Sequence, residues 1–384
     1  MLECPGLLLS NARLVLADRV IDNGWIAIEN GVITEIGEGR PPERGEDLDG
    51  DLLLPGLVEL HTDQIESHYM PRPKVFWDPV AAVVSYDGQI ATSGITTVLD
   101  SLRVWREEDF EEVDGQAVTL AKAIARARDA DLLRVDHLLH LRCEVPTPNV
   151  VAETEELIDR PDVRLLSLMD HTPGQRQFRN EEKLRTYYRG KKGGVTDAEL
   201  DALFARRLKH QAEHGVNNYR MLVSMAQARA LPLASHDDTT LDHVDDAVRD
   251  HVAIAEFPTT LEAAAALHAA GIRVSMGAPN LVLGRSHSGN VATAELAQAG
   301  VLDILSSDYA PYSLLTAALR LPHVVPAISL PTAMRMVSKT PAEAVGLRDR
   351  GEIALGKRGD LIRIRVADNV AAVRSVWRGG RRVT

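Results

Sequence analysis

The sequence predicts an α/β protein: a (β/α)8 TIM barrel with a small β-sandwich formed by both chain termini. Eight apolar strand-like runs, mostly followed by helical stretches, fill the middle of the chain. Short strand-like segments broken by Asp, Asn and Gly turns fill both ends. Polar residues with metal-ligand chemistry recur where the central runs end, which is where a barrel places its functional groups.

The N-terminal strands are expected at Leu7–Leu9, Ala12–Leu16, Trp25–Ile28 and Val32–Ile36, with Asn30-Gly31 as a hairpin turn. Pro41-Pro42 and Asp49-Gly50 end this block. Asp360–Val366 and Val373–Trp377 have the same character, so the two ends are expected to form one antiparallel β unit closed by the returning C-terminus. The expected organisation is residues 1–53 and 346–384 for this unit and 54–345 for the barrel. The eight runs are Leu52–His61, Gly94–Ser101, Arg134–Val145, Asp162–His171, Pro232–His236, Ile254–Thr259, Arg273–Pro279 and Leu302–Asp308. Strands buried on both faces read as such continuous apolar runs. Helices are expected over Phe110–Arg128, Asp197–Arg229, Thr260–Ala270 and Val291–Ala299. An open doubly wound sheet is the alternative. No glycine-rich fingerprint follows the first run, which favours the barrel.

Composition narrows the function classes. Hydrophobic residues at 45% and charged residues at 26% exclude a disordered chain, a collagen-like fibre and a coiled coil. A net charge of −12 gives no sign of a nucleic-acid partner or an anionic membrane. An anionic substrate must then be held by a local cation cluster or by metal. Cys4 and Cys143 cannot make a disulfide framework, so a reducing, cytoplasmic setting is expected. No apolar run is long enough to span a bilayer, and Met1–Ser10 does not read as a signal peptide.

Six residues at the ends of the runs are candidate ligands. His61 and Asp63 lie two apart, so on an extended chain they face one side, an N/O pair suited to a borderline divalent cation. Glu144 ends the third run and His171 the fourth; His236 ends the fifth and Asp308 the eighth. Each has an ordinary reading taken alone. His61 and Asp63 fit a surface or capping role, Glu144 a loop acid paired to Arg142 or Arg134, and Asp308 a helix cap. Asp170 points away from His171 and is read as its support, while Asp237 or Asp238 suits a helix cap. His137, His210, His243 and His268 lie in strand interiors or helices and are read as packing or surface residues. The joint placement of the six at one end of a barrel is what favours a metal centre.

On these residues the chain resembles the amidohydrolase superfamily, metal-dependent barrels with a small β unit built from both chain ends. Leu54–Asp63 is similar to that superfamily's first-strand motif, with Asp63 where most members have a second His. His61–Glu66, Met70–Pro73, Ser167–Gln175, Ser235–Asp238, Glu256–Thr260, Gly277–Asn280, Ser286–Asn290 and Leu305–Asp308 resemble, within it, the diphosphatases of the carbon–phosphorus lyase route of phosphonate use. The resemblance spans essentially the whole chain, least well over Thr172–Ala230. It implies hydrolysis of a ribose 5-triphosphate to the 5-phosphate and pyrophosphate, with a small-molecule substrate and a homodimer. It also implies two divalent ions, zinc first and manganese or iron otherwise. Glu144 would bridge the ions, with His61, Asp63 and Asp308 on one and His171 and His236 on the other. Glu144 and Asp308 are then the catalytic candidates, Asp308 accepting the proton of the attacking water. A deacetylase or cyclic-amide hydrolase of the same superfamily, or a scaffold that has lost its chemistry, is the competing reading.

Two segments are candidates for the phosphates. Gly284–Asn290 follows the seventh run and is expected to open a helix. Arg285, Ser286, His287, Ser288, Gly289 and Asn290 would supply charge, hydroxyls and close backbone approach. The alternative is that Ser288 or Asn290 only caps that helix. Between Arg176 and Lys192 seven cations face two acids, with Arg176 the cation nearest the fourth run. A solvated helix face is the plainer reading of that stretch.

Overall fold

The computed structural model describes residues 6–72, 74–105, 116–179, 181–192, 195–286, 289–368 and 370–384. The N-terminal strands are β1 (Leu7–Val15), β2 (Val20–Glu29), β3 (Val32–Glu38), β4 (Glu46–Asp47) and β5 (Leu52–Pro55). The barrel strands are β6 (Leu57–Thr62), β7 (Ile95–Arg103), β8 (Asp136–Glu144), β9 (Val163–Met169), β10 (Leu233–His236), β11 (Ile254–Glu256), β12 (Arg273–Gly277) and β13 (Ile304–Ser306). β14 (Leu361–Ala367), β15 (Val370–Arg378) and β16 (Arg381–Arg382) return to the first sheet.

That sheet runs β16-β15-β14-β5-β1-β2-β3, with β4 on β1. It is mixed rather than antiparallel throughout, because β1 pairs β4 and β5 in parallel. Leu7–Leu9 and Ala12–Leu16, expected as two strands, are one strand with a register shift beside Asn11, whose φ is +52°. Leu9, Leu14, Ile26, Ile33, Leu53, Leu361 and Trp377 form its own core. The chain passes from this sheet to the barrel at Gly56, where a Cβ would collide with Thr96.

All eight barrel strands pair in parallel in sequence order. The ring closes through a parallel bridge between Thr62 and Asp308, with the Asp308 amide donating to the His61 carbonyl at 3.0 Å. Alternation then sorts the side chains. Leu60, Leu99, Leu165, Ala234, Ile254 and Ile304 fill the interior, while Leu139, Leu141, Cys143, Leu166 and Leu168 face the helices. Cys143 is buried, and burial pushes its thiol up to about 12. His137 and Asp100 pair at 2.8 Å in the buried region between barrel and helices, with Asp87 3.3 Å away. Above the apolar layer lies a polar one. His140 donates Nδ1–H to the Leu60 carbonyl at 2.9 Å and accepts from Ser167 Oγ at 2.7 Å. Burial holds this imidazole down at about 4, so it is neutral.

Candidate metal centre

The site stands on this polar layer, at the C-terminal mouth of the barrel. Three strands end alike. Asp237, Phe257 and Asp308 each follow a strand end with φ near +55° (56°, 55° and 52°), and each donates its amide to a neighbouring strand. Left-handed backbone at non-glycine residues costs about 1–3 kcal/mol and is held where the surroundings over-determine it. Here it turns the chain at strand ends that carry His236, Glu256 and Ser306.

His61, His171 and His236 converge. The His61 and His236 rings stack with centroids 5.6 Å apart, and His171 meets His236 edge-on at 5.6 Å. Glu256 lies between two of them. It accepts from His61 Nδ1 at 2.9 Å and from His236 Nδ1 at 3.2 Å, which leaves Nε2 of both rings as the lone-pair nitrogen. Glu144 does the same for His171, accepting from its Nδ1 at 2.5 Å and its backbone amide at 2.7 Å. Asp237 Oδ2 lies 3.4 Å from His236 Nε2 and 3.9 Å from His171 Nε2, and it is buried without a hydrogen-bond partner among the described residues.

The electrostatics follow. Burial holds His236 down to about 3, and burial with the Arg142 charge holds His61 well below its usual value. Burial lifts Asp237 to about 7, and burial plus the Asp63 charge lifts Asp308 to about 7. Burial would raise Glu144 too, but His171 outweighs it and brings the carboxyl to about 2. His171 is raised, since Glu144 and Asp237 overcome its burial. Burial also favours the neutral form of Asp63, but Arg142 and Arg103 hold it below the ordinary range. Under the site, Glu59 accepts from the His61 amide, Ser306 Oγ and the Ser307 amide, each at 2.6 Å, and locks β6 to β13.

Among the described residues two sets of donor atoms are close enough to share an ion: His171, His236 and Asp237, and His61, His140 and Glu256. The first is an N2O set with an unpartnered buried oxygen, which fits a divalent cation. In the second, both His140 nitrogens are already bonded, so it supports rather than binds.

The family model for the amidohydrolases matches residues 89–384. The chain belongs to the amidohydrolase family. It is 44% identical, over 98% of its length and 100% of the relative, to alpha-D-ribose 1-methylphosphonate 5-triphosphate diphosphatase of Escherichia coli strain K12. Among solved structures a triazine hydrolase variant is similar, with a TM-score of 0.66 at 17% identity over 98% of this chain and 94% of that one. N-isopropylammelide isopropylaminohydrolase from Burkholderia multivorans gives 0.65 at 16% over 99% and 98%. N-acetyl-D-glucosamine-6-phosphate deacetylase from Mycobacterium smegmatis gives 0.64 at 16% over 98% and 100%. These three likenesses are to the fold.

In this amidohydrolase all six expected ligands lie at the barrel mouth. His171 joins Glu144, Asp308 meets His61 through the backbone only, and Asp63 receives Arg142 Nη1 at 3.2 Å. Among the described residues, His171 and His236 share one donor set, whereas His61, Asp63 and Asp308 do not form one. Glu144, expected to bridge two ions, has both oxygens engaged by His171. Asp170 accepts from the Thr172 amide and from Gln211 beside His171. Sequence reasoning does not single out Glu256, which lies inside the expected run Ile254–Thr259 whereas the strand ends on it, and it assigns a cap to Asp237 or Asp238 without placing Asp237 at the site.

The phosphate candidates divide. Arg176 is buried in an ion pair with Asp238 at 2.9 Å and donates to the His236 carbonyl at 2.7 Å. Gly284 closes the helix Ala278–Leu283 rather than opening one, with φ +74°. The next helix, Thr293–Gln298, takes its cap from Asn280 Oδ1, which accepts from the Thr293 amide at 3.1 Å. His287 and Ser288 lie outside the described residues. The Lys183 ammonium lies against Gly289, so the basic helix Glu181–Lys192 and this loop meet. That helix packs on Asp197–His210 through Leu184, Tyr188, Leu200 and Phe204, and Arg207 of the second helix reaches the field of Glu144. Arg185 and Arg189 pair with acids on exposed faces. Among the described residues no helix is long and apolar enough to cross a membrane.

Proposed function

We propose that this amidohydrolase hydrolyses alpha-D-ribose 1-methylphosphonate 5-triphosphate to the 5-phosphate and pyrophosphate. The observation that carries the reading is the end-to-end 44% identity with the Escherichia coli diphosphatase. The site supports it chemically. His171, His236 and Asp237 would hold one divalent ion, and His61, Asp63 and Asp308 a second. Mixed imidazole and carboxylate donors of this kind suit zinc, with manganese or iron as alternatives. Such ions supply a polarised water and neutralise phosphoryl oxygens.

The protein's own groups do the rest. Glu256 and Glu144 fix the tautomers of three imidazoles, so that no ring reorients during turnover. Asp308, whose basicity burial and Asp63 raise, takes the proton of the attacking water. Water oxygen bonds to the α-phosphorus and the bond from that phosphorus to the bridging oxygen breaks. Pyrophosphate leaves with the electron pair. In 18O-water the label should appear in the sugar phosphate, and chelation should stop pyrophosphate release. Stepwise release of orthophosphate, or turnover of amides with none of the triphosphate, would overturn the assignment.

A further inference from the structure

We infer that Arg142 grips the reacting phosphoryl group, and that it is the residue by which this centre selects an oligophosphate over a neutral amide. The inference rests on the diphosphatase reading and adds the group that recognises the anion.

Arg142 stands on β8, two residues before Glu144, so strand alternation turns it inward with Glu144 and His140. In register it lies beside Arg103 and Ser167. Its side chain is 12% exposed. Nη1 donates to Asp63 Oδ2 at 3.2 Å, while Nε is buried and has no partner among the described residues. Its contact with Asp63 sets the guanidinium beside the candidate ligands, and its charge is felt by His61, Asp63, His171 and Asp308.

A buried cation there repels the very ions the ligands gather, and an unpaired buried charge is costly. Asp63 alone must serve both the guanidinium and an ion. The arrangement is balanced once a multiply charged anion enters. A guanidinium offers five N–H donors in a planar fork that matches two phosphoryl oxygens, and the Arg142 Nε–H has no acceptor among the described residues. The neighbouring arginines are otherwise occupied. Arg176 is bonded to Asp238 and the His236 carbonyl, and Arg103 pairs with Glu66 at 3.2 Å and lies over the Trp105 ring. A neutral amide substrate would leave Arg142 with Asp63 as its one anionic contact and its Nε–H unmet among the described residues, so the same residue selects against it.

The test uses metal-loaded protein, the variants Arg142→Ala and Arg142→Lys, and two readouts. The first is calorimetric binding of inorganic tripolyphosphate, which needs no turnover. Wild type should bind, both variants should bind at least tenfold more weakly, and metal content by elemental analysis should be unchanged. The second is kcat/KM for the ribose triphosphate, which should fall at least a hundredfold in Arg142→Ala and recover in part when guanidinium ion is added. Equal tripolyphosphate affinity in wild type and Arg142→Lys overturns the inference, as does loss of metal from Arg142→Lys, which would make Arg142 a brace for Asp63. Absence of recovery with guanidinium counts against it too. If wild type turns over no triphosphate yet binds tripolyphosphate through Arg142, the reaction assignment falls and the grip stands. Should Arg142→Ala fail to fold, the Arg142→Lys binding result decides.

Discussion

Glu256 shows how much of this centre is set by one carboxylate. It accepts Nδ1–H from both His61 and His236, and so determines which nitrogen each ring presents. A glutamine there has one acceptor and one donor end. Its amide would donate to one ring, force that ring's proton to Nε2 and remove a lone pair from the site. Glu256→Gln should therefore lower metal affinity and kcat/KM about 10–100-fold, the usual effect of removing a group that orients ligands. Far-UV circular dichroism should hardly change. Asp63→Ala and His236→Ala should abolish turnover outright. Full metal occupancy and activity in Glu256→Gln would contradict the tautomer argument. Residues of this kind were partly legible. His61, Asp63, Glu144, His171, His236 and Asp308 stand out because a polar residue ending an apolar run has few structural reasons to be there. Glu256 lacks that signature, because the apolar run reads on to Thr259 and only the structure ends the strand at Glu256. Asp237 follows His236 directly, and a strict strand alternation turns it away. Its left-handed φ of +56° breaks that alternation and brings its carboxyl to His236.

At the scale of elements, the runs that became strands were legible because burial on both faces leaves an apolar record, and each of the eight contains a barrel strand, although the first, Leu52–His61, is divided at Gly56 between β5 of the terminal sheet and β6 of the barrel. The single helix expected over Asp197–Arg229 was not, because a one-residue insertion in a turn leaves no mark on apolar periodicity. The structure has a π-turn at Gln211–Gly215 between helices Asp197–His210 and Val216–Gln227. Turns of this kind recur at functional sites, and this one has a visible task. It directs Gln211 Nε2 onto Asp170 Oδ2 at 2.7 Å, and Asp170 in turn accepts from the Thr172 amide beside His171. A Cβ at Gly215 would collide with the Gln211 amide. Gly215→Ala, which in an ordinary helix gains about 0.5–1 kcal/mol, should here displace Gln211 and loosen His171. We expect a roughly tenfold loss of kcat/KM, within the range that an ångström of misplacement produces. Gln211→Ala should match it. A Gly215→Ala protein that is more stable and fully active would show that the turn has no bearing on the site.

For the molecule as a whole, the terminal sheet was foreseen from the likeness of the two chain ends, but not the way it is fastened to the barrel. That fastening is an ion cluster at the end of the barrel opposite the candidate metal centre. Asp136, the first residue of β8, receives Arg350 Nη1 at 2.6 Å and Arg358 Nη1 at 2.7 Å, with Arg378 Nη1 at 3.6 Å. Arg350 also bonds Thr97 at the start of β7, and Arg378 reaches the Leu133 and Val135 carbonyls, so one carboxylate draws the C-terminal segment onto two barrel strands. Sequence offers no sign of this, since each partner is an ordinary charged residue until the chain returns. Burial would favour the neutral acid, but Arg358 and Arg350 outweigh it and hold Asp136 below the ordinary carboxylate range. A depressed carboxyl contributes stability that is present above its unfolded value, near 3.8, and is lost as pH falls through the folded value. Asp136→Asn removes the charge the three arginines share and leaves Arg350 to Asp349 and Arg358 to Asp360, which should cost about 3 kcal/mol, the lower end for breaking a buried pair because the acid keeps some exposure and the arginines keep other partners. Denaturant unfolding at neutral pH should register that loss, and the gap to wild type should narrow as the pH is lowered below 4. At 25 °C kcat/KM should be unchanged, because the barrel's lower face serves stability and its upper face serves catalysis. A variant as stable as wild type, or one that stays folded with its activity lost, would mean that this cluster is not what joins the two halves.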